Sequence, residues 1–102
     1  YSGATPLHFA AMQAQTEIVD YLLKTKQTRI NATLDRGDYE GFTPLHFAVL
    51  NPDAPNTYST IKLLLKAGAN PKTKCKVGKR AVELTSVKVI QSLLNNPKKA
   101  ME

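Results

Sequence analysis

A chain of 102 residues is the length of one small domain, and it can bury roughly 65% of its unfolded surface, enough for a modest core without staples. Its apolar share of 42% and charged share of 22% are those of an ordinary globular protein. No window approaches the ~20 apolar residues of a membrane span, and a single cysteine, Cys75, closes no internal disulfide. Membrane-spanning, collagenous, disordered and disulfide-scaffold classes are therefore excluded. A lone thiol, and first residues without the basic-then-apolar order of a leader, predict the cytoplasm and/or nucleus. The sequon Asn31-Ala32-Thr33 has meaning only in a secreted chain. The net charge of +6 is unevenly spread: residues 1–61 sum to −2 and residues 62–102 to +8. Five bases fall in nine residues, at Lys72, Lys74, Lys76, Lys79 and Arg80.

In chain order, residues 3–11 read Gly-Ala-Thr-Pro-Leu-His-Phe-Ala-Ala, and Thr5 with Pro6 marks a helix start. A threonine oxygen can accept from the first turn, and proline costs nothing where an N–H has no partner. Ile18, Val19, Leu22 and Leu23 follow at helical spacing on one face. A connection over residues 24–42 carries the acidic Asp35, Asp38 and Glu40. Residues 41–49 then read Gly-Phe-Thr-Pro-Leu-His-Phe-Ala-Val, identical to the first box at seven of nine positions and 38 residues on. Thr43 and Pro44 predict the next helix start, residues 51–56 a turn, and Asn56 or Thr57 the cap of a helix on Ile61, Leu64 and Leu65. Gly68 suits the left-handed position that ends it. Another 37 residues on, residues 78–84 keep the frame with only Gly78 in common, followed by Val89, Ile90, Leu93 and Leu94. Asn95-Asn96-Pro97-Lys98-Lys99 is a helix stop and polar exit. Neither helix of a copy is long enough to stand alone, so each copy must pack on its neighbour.

Gly-x-Thr-Pro-Leu-His-x-Ala-Ala, Glu17-Ile18-Val19 with Leu22-Leu23, and the run Leu63-Leu64-Leu65-Lys66-Ala67-Gly68-Ala69-Asn70 resemble the ankyrin repeat over about residues 3–95. The resemblance implies an all-α solenoid of helix–turn–helix units joined by β-hairpin or loop fingers. It divides the chain into repeat one (about 3–40), repeat two (about 41–77) and a C-terminal cap (about 78–96). The periods of 38 and 37 exceed the usual length of about 33. The surplus lies in the first connection and in the helix-to-helix turn of copy two. Ala14-Gln15 stands where the family prefers Gly-His. The third copy lacks the Thr-Pro-Leu-His box and reads as a cap. The start at Tyr1-Ser2-Gly3, inside a finger, suggests a fragment of a longer chain, whose upstream repeats would cover the N-terminal face of copy one.

Candidates for chemistry are sparse. His8, His46 and Cys75 are spread over three copies without the close pairs of a zinc site. The resemblance makes each histidine a strut between helix and loop. Gly78-Lys79 fails as a P-loop, since Thr73 stands where a glycine is needed and Arg80 where Ser or Thr is needed. Cys75 lies among lysines that would depress a thiol's pKa; its alternative is an incidental cysteine. Asn31 falls at the family's hairpin asparagine, which some oxygenases hydroxylate, or simply bonds the loop backbone. No catalytic residues, metal or cofactor are assigned.

The resemblance implies binding through fingertips and the concave helix face. By matching positions, Ala4, Met12, Gln13, Leu50 and Asn51 fall on the concave face, Tyr39 and Phe42 point outward from the finger of copy two, and Lys76 and Lys79 take the fingertip of copy three. Phe42 has the alternative of packing under its own loop, and Met12 and Leu50 that of core contacts. Lys72, Lys74 and Lys76 alternate along one side of an extended arm. The expectation is a monomeric, non-enzymatic protein-binding module whose partner presents an acidic or mixed-charge surface with an apolar centre. The expected site is Met12, Gln13, Tyr39, Phe42, Leu50, Asn51, Lys74, Lys76 and Lys79. The alternatives are polyanion binding (nucleic acid or acidic lipid) through Lys72 to Arg80, a solvated loop that only protects an edge, and a regulatory or tethering segment of a larger protein, enzymatic or not.

Overall fold

A computed structural model describes residues 5–25, 29–35, 37, 39–50 and 56–98. Helices α1 (Pro6–Met12), α2 (Thr16–Thr25), α3 (Pro44–Val49), α4 (Thr57–Lys66) and α5 (Lys88–Asn95) follow in order, with a 3-10 helix (Ala81–Leu84) before α5. They form two rows: α1, α3 and the 3-10 helix pack in sequence, and α4 packs on α2 behind them. Among the described residues there is no strand. The fingers are loops that carry hairpin-like bonds. Leu34 N–H donates to Phe42 O at 3.2 Å, Gly41 N–H to Leu34 O at 2.8 Å, and Cys75 N–H to Lys79 O at 2.9 Å.

The Thr-Pro-Leu-His box builds the start of the row-one helices. Thr5 Oγ1 accepts from His8 N–H, while His8 Nδ1 accepts from Thr5 N–H at 3.0 Å. Thr43 and His46 repeat the arrangement, with the second bond at 3.2 Å. This is a capping box in which an imidazole replaces the usual Glu or Gln. The first helix of the third copy has no such box. Arg80 stands at its cap position without a side-chain capping bond, and only one 3-10 turn forms. Asn56 caps α4 by position alone, again without a side-chain bond.

The C-terminal ends use the same left-handed device twice. Gly68, at φ +106°, donates to Leu65 O and Ala69 to Leu64 O, which are the two bonds of a Schellman motif. At the end of α1 the pattern recurs with Ala14 at φ +53°, Ala14 N–H to Ala11 O and Gln15 N–H to Ala10 O.

The core runs along the rows through Leu7, Val19, Leu45, Ile61, Leu64 and Leu93. The expected packing face of the second helices needs two corrections. Ile18 is 47% and Val89 61% exposed, whereas Thr60, at the equivalent position of α4, is fully buried. Helical spacing assigns a face but not what covers it. Thr60 meets Thr16 of the preceding copy, Oγ1 to Oγ1 at 3.3 Å, while Ile18 borders an open cavity with Asn56 and Ser59.

Candidate functional site

The two described fingers lean on each other. His8 Nδ1 faces a backbone donor, so its proton sits on Nε2, which donates to Phe42 O at 3.1 Å. His46 donates in the same way to Lys79 O at 3.0 Å. Each imidazole thus ties the helix start of one copy to the finger of the next, and burial holds both below the ordinary histidine value. Lys76 N–H donates to Glu40 O at 3.0 Å from finger to finger. Gly41, at φ +85°, lies so close to the third-copy finger that a Cβ would stand 2.7 Å from Lys76 N. Asn31 fastens the next layer: its Oδ1 accepts from Asn70 N–H at 2.9 Å, and its Nδ2 donates to Gly68 O at 3.3 Å.

Beneath the fingers lies a second apolar cluster of Leu34, Phe42, Phe47 and Cys75, with Met12, Tyr39 and Leu84 against it. This overturns the expected outward position of Phe42, which is 7% exposed. The left-handed turn at Gly41 and the cap at Thr43 direct its ring inward, 5.1 Å from the His46 ring and 5.4 Å from that of Phe47. Tyr39 stays half-buried at the cluster's edge, its ring 5.2 Å from Phe42 and 5.4 Å from Phe47. Cys75 is buried too, so the lysines beside it in sequence do not make an open thiol.

Of the expected concave positions, Met12 is half-buried, Gln13 exposed and Leu50 exposed at the end of α3. Ala4 and Asn51 lie outside the described residues. Lys72, Lys74, Lys76 and Lys79 are all exposed, while between the first three Thr73 is half-buried and Cys75 buried. Lys76 Nζ is 3.6 Å from Glu40 Oε2, and Arg80 Nε donates to Glu83 Oε1 at 2.8 Å. That second pair holds the Glu83 carboxyl below its ordinary value.

The sequence reading missed Val77, which is 74% exposed between Lys76 and Gly78 at the fingertip. An apolar residue beside the turn glycine of a lysine-rich loop was the available signal. Among the described residues no three His, Cys, Asp or Glu side chains converge to hold a metal, and no helix is long and apolar enough to cross a membrane.

Comparison with known proteins agrees with this geometry. No curated protein gave a match. A family model described as "Ankyrin repeats (3 copies)" matches residues 2–75, well over half the chain. Two rows of short helices, imidazole-locked capping boxes and interlocking fingers are thus the architecture of a recognised sequence pattern, and the chain belongs to the ankyrin-repeat family.

Proposed function

We propose that the chain is a monomeric, non-enzymatic recognition module of the cytoplasm or nucleus that binds an acidic protein surface through its third-copy finger and the neighbouring concave positions. Ankyrin repeats are in general protein–protein interaction modules and typically non-enzymatic. The observation that carries the reading is the charge of that finger. Lys72, Lys74, Lys76 and Lys79 are exposed together around Val77, and among the described residues only Glu40 stands within ion-pair distance of any of them. A cluster of ammonium groups around an apolar tip favours a partner with carboxylates around an apolar contact, and steers its approach. Leu50, Gln13 and the edge of Tyr39 supply further contact surface on the adjoining copies. The finger is braced by His46 and by the Glu40 carbonyl, so little ordering entropy is lost on binding.

The test is capture from cell lysate with the full chain and with a Lys74→Glu/Lys76→Glu/Lys79→Glu variant, each with and without nuclease. A discrete protein held by the parent chain, insensitive to nuclease and lost in the variant, supports the proposal. Retention of the same proteins by both chains, or recovery of nuclease-sensitive material alone, refutes it. The latter result would support polyanion binding, whose affinity falls steeply with salt.

A further inference from the structure

The second helical row is open at two places, one beside α2 and the start of α4 and the other between α4 and α5, and the second of these is the more apolar in its side chains. Aligning Leu22-Leu23, Leu64-Leu65 and Leu93-Leu94 makes Thr16 equivalent to Tyr58, and Thr60 equivalent to Val89. Between α2 and α4 the meeting pair is Thr16 and Thr60, two small side chains in hydrogen-bond contact. Between α4 and α5 the corresponding pair is the larger Tyr58 and Val89. There a groove of about 310 Å³ opens, lined by Tyr58, Lys88, Val89, Ser92 and Leu93. Tyr58 is 39% exposed and Val89 61%.

Every charged side chain of α4 and α5 is a lysine. Lys62 Nζ lies 5.8 Å from the centre of the Tyr58 ring, Lys88 begins α5, and neither α4 nor α5 contains a carboxylate. The neighbouring α2 differs: Glu17 and Asp20 lie on it, and Asp20 pairs with Lys24 at 2.9 Å. Among the described residues neither Lys62 nor Lys88 takes part in an ion pair. An apolar slot with a basic rim complements an acidic segment with an apolar anchor.

We propose that the α4/α5 groove is a second docking site, which takes an acidic peptide segment of another protein. One large apolar side chain of that segment enters between Tyr58 and Val89, and its carboxylates face Lys62 and Lys88. The groove shares no residue with the fingers, so this site stands or falls independently of the finger site.

The probe is a fluorescein-labelled, end-blocked peptide Glu-Glu-Asp-Leu-Phe-Glu-Glu, titrated into the full 15N-labelled chain, with the lysine-for-acid peptide as control. The expected result is saturable anisotropy below about 1 mM, with resonance shifts at Tyr58, Val89 and Leu93, and no binding of the control. Val89→Asp, at an exposed position, should weaken binding at least about tenfold while the melting temperature holds. Tyr58→Thr, which removes the aromatic wall of the groove, should weaken binding as well. The Lys74→Glu/Lys76→Glu/Lys79→Glu variant should bind this peptide as the parent does. Absence of saturation, shifts confined to the fingers, or parental affinity in both groove variants would overturn the proposal. So would duplex DNA or phosphatidylserine vesicles shifting the groove resonances where the peptide does not.

Discussion

Replacing Gly41 with alanine separates backbone strain from contact between copies, because the chain contains its own control. Gly41 and Gly78 occupy the same position of successive copies with nearly the same backbone, φ +85° and +83°. Alanine in that region costs about 1–2 kcal/mol, offset in part by a less flexible unfolded chain, for a net of about 1 kcal/mol. At Gly78 the added Cβ would meet nothing within 4 Å, so this net cost is the whole effect. At Gly41 it would lie 2.7 Å from Lys76 N, 2.9 Å from Cys75 Cα and 3.0 Å from Cys75 C. All three are backbone atoms, so no side chain can swing aside and the third-copy finger must move. That movement strains the 3.0 Å bond from Lys76 N–H to Glu40 O and the packing of Cys75, adding about 1–3 kcal/mol as overpacking does in a core. Gly41→Ala should therefore cost about 2–4 kcal/mol against about 1 for Gly78→Ala. Urea unfolding followed by far-ultraviolet circular dichroism gives both values, with the slope checked for constancy. Equal costs at the two positions would refute the close apposition of the fingers.

The other predictions concern single side chains. His8 and His46 are held below their ordinary value by burial, so the unfolded chain binds protons first as pH falls. Stability should be flat above about pH 7.5 and drop from about pH 6.5 downward, by at most about 1.4 kcal/mol per pH unit for each imidazole; a urea midpoint unchanged between pH 8 and 5 would contradict this. Cys75→Ser should lose about 1–3 kcal/mol by placing a hydroxyl in the apolar cluster under the fingers, and the native thiol should react with a disulfide reagent far more slowly than the urea-unfolded one. Ala14→Gly should raise stability by about 0.5–1 kcal/mol through relief of a left-handed alanine; a loss in thermal denaturation would show that burial of its methyl group outweighs the strain.

Much of the architecture was legible because the chain states it twice. The seven shared positions of the two boxes put Thr5, Pro6, Thr43 and Pro44 at helix starts, and the structure has them there. Gly68 ends α4 in the left-handed conformation that its position suggests. Matching positions to the family pattern placed Phe42 outward, and the structure buries it. Its burial depends on the Gly41 turn and on a ring at Phe47, which local spacing does not reveal. Ile18 and Val89 misled for another reason. A helical stripe shows which residues are apolar, while the cover over each depends on what a neighbouring copy places against it. The basic finger was visible from lysine spacing alone, and Val77 was hidden by the lysines around it.

The imidazole bridges run one way along the chain. Each reaches from the helix of one copy to the finger of the next, His8 to Phe42 and His46 to Lys79. The side chain that stabilises a helix locally is thus the one that couples it to its successor, so intrinsic and nearest-neighbour energies of the array are not separable at these positions. Losing His46 would weaken its own repeat and detach the one after it together. The third copy has no histidine in its box, so the relay ends there. Fraying that starts at the C-terminal end meets its first imidazole clamp at the finger of copy three, so up to that point it uncovers shared core without breaking a bridge.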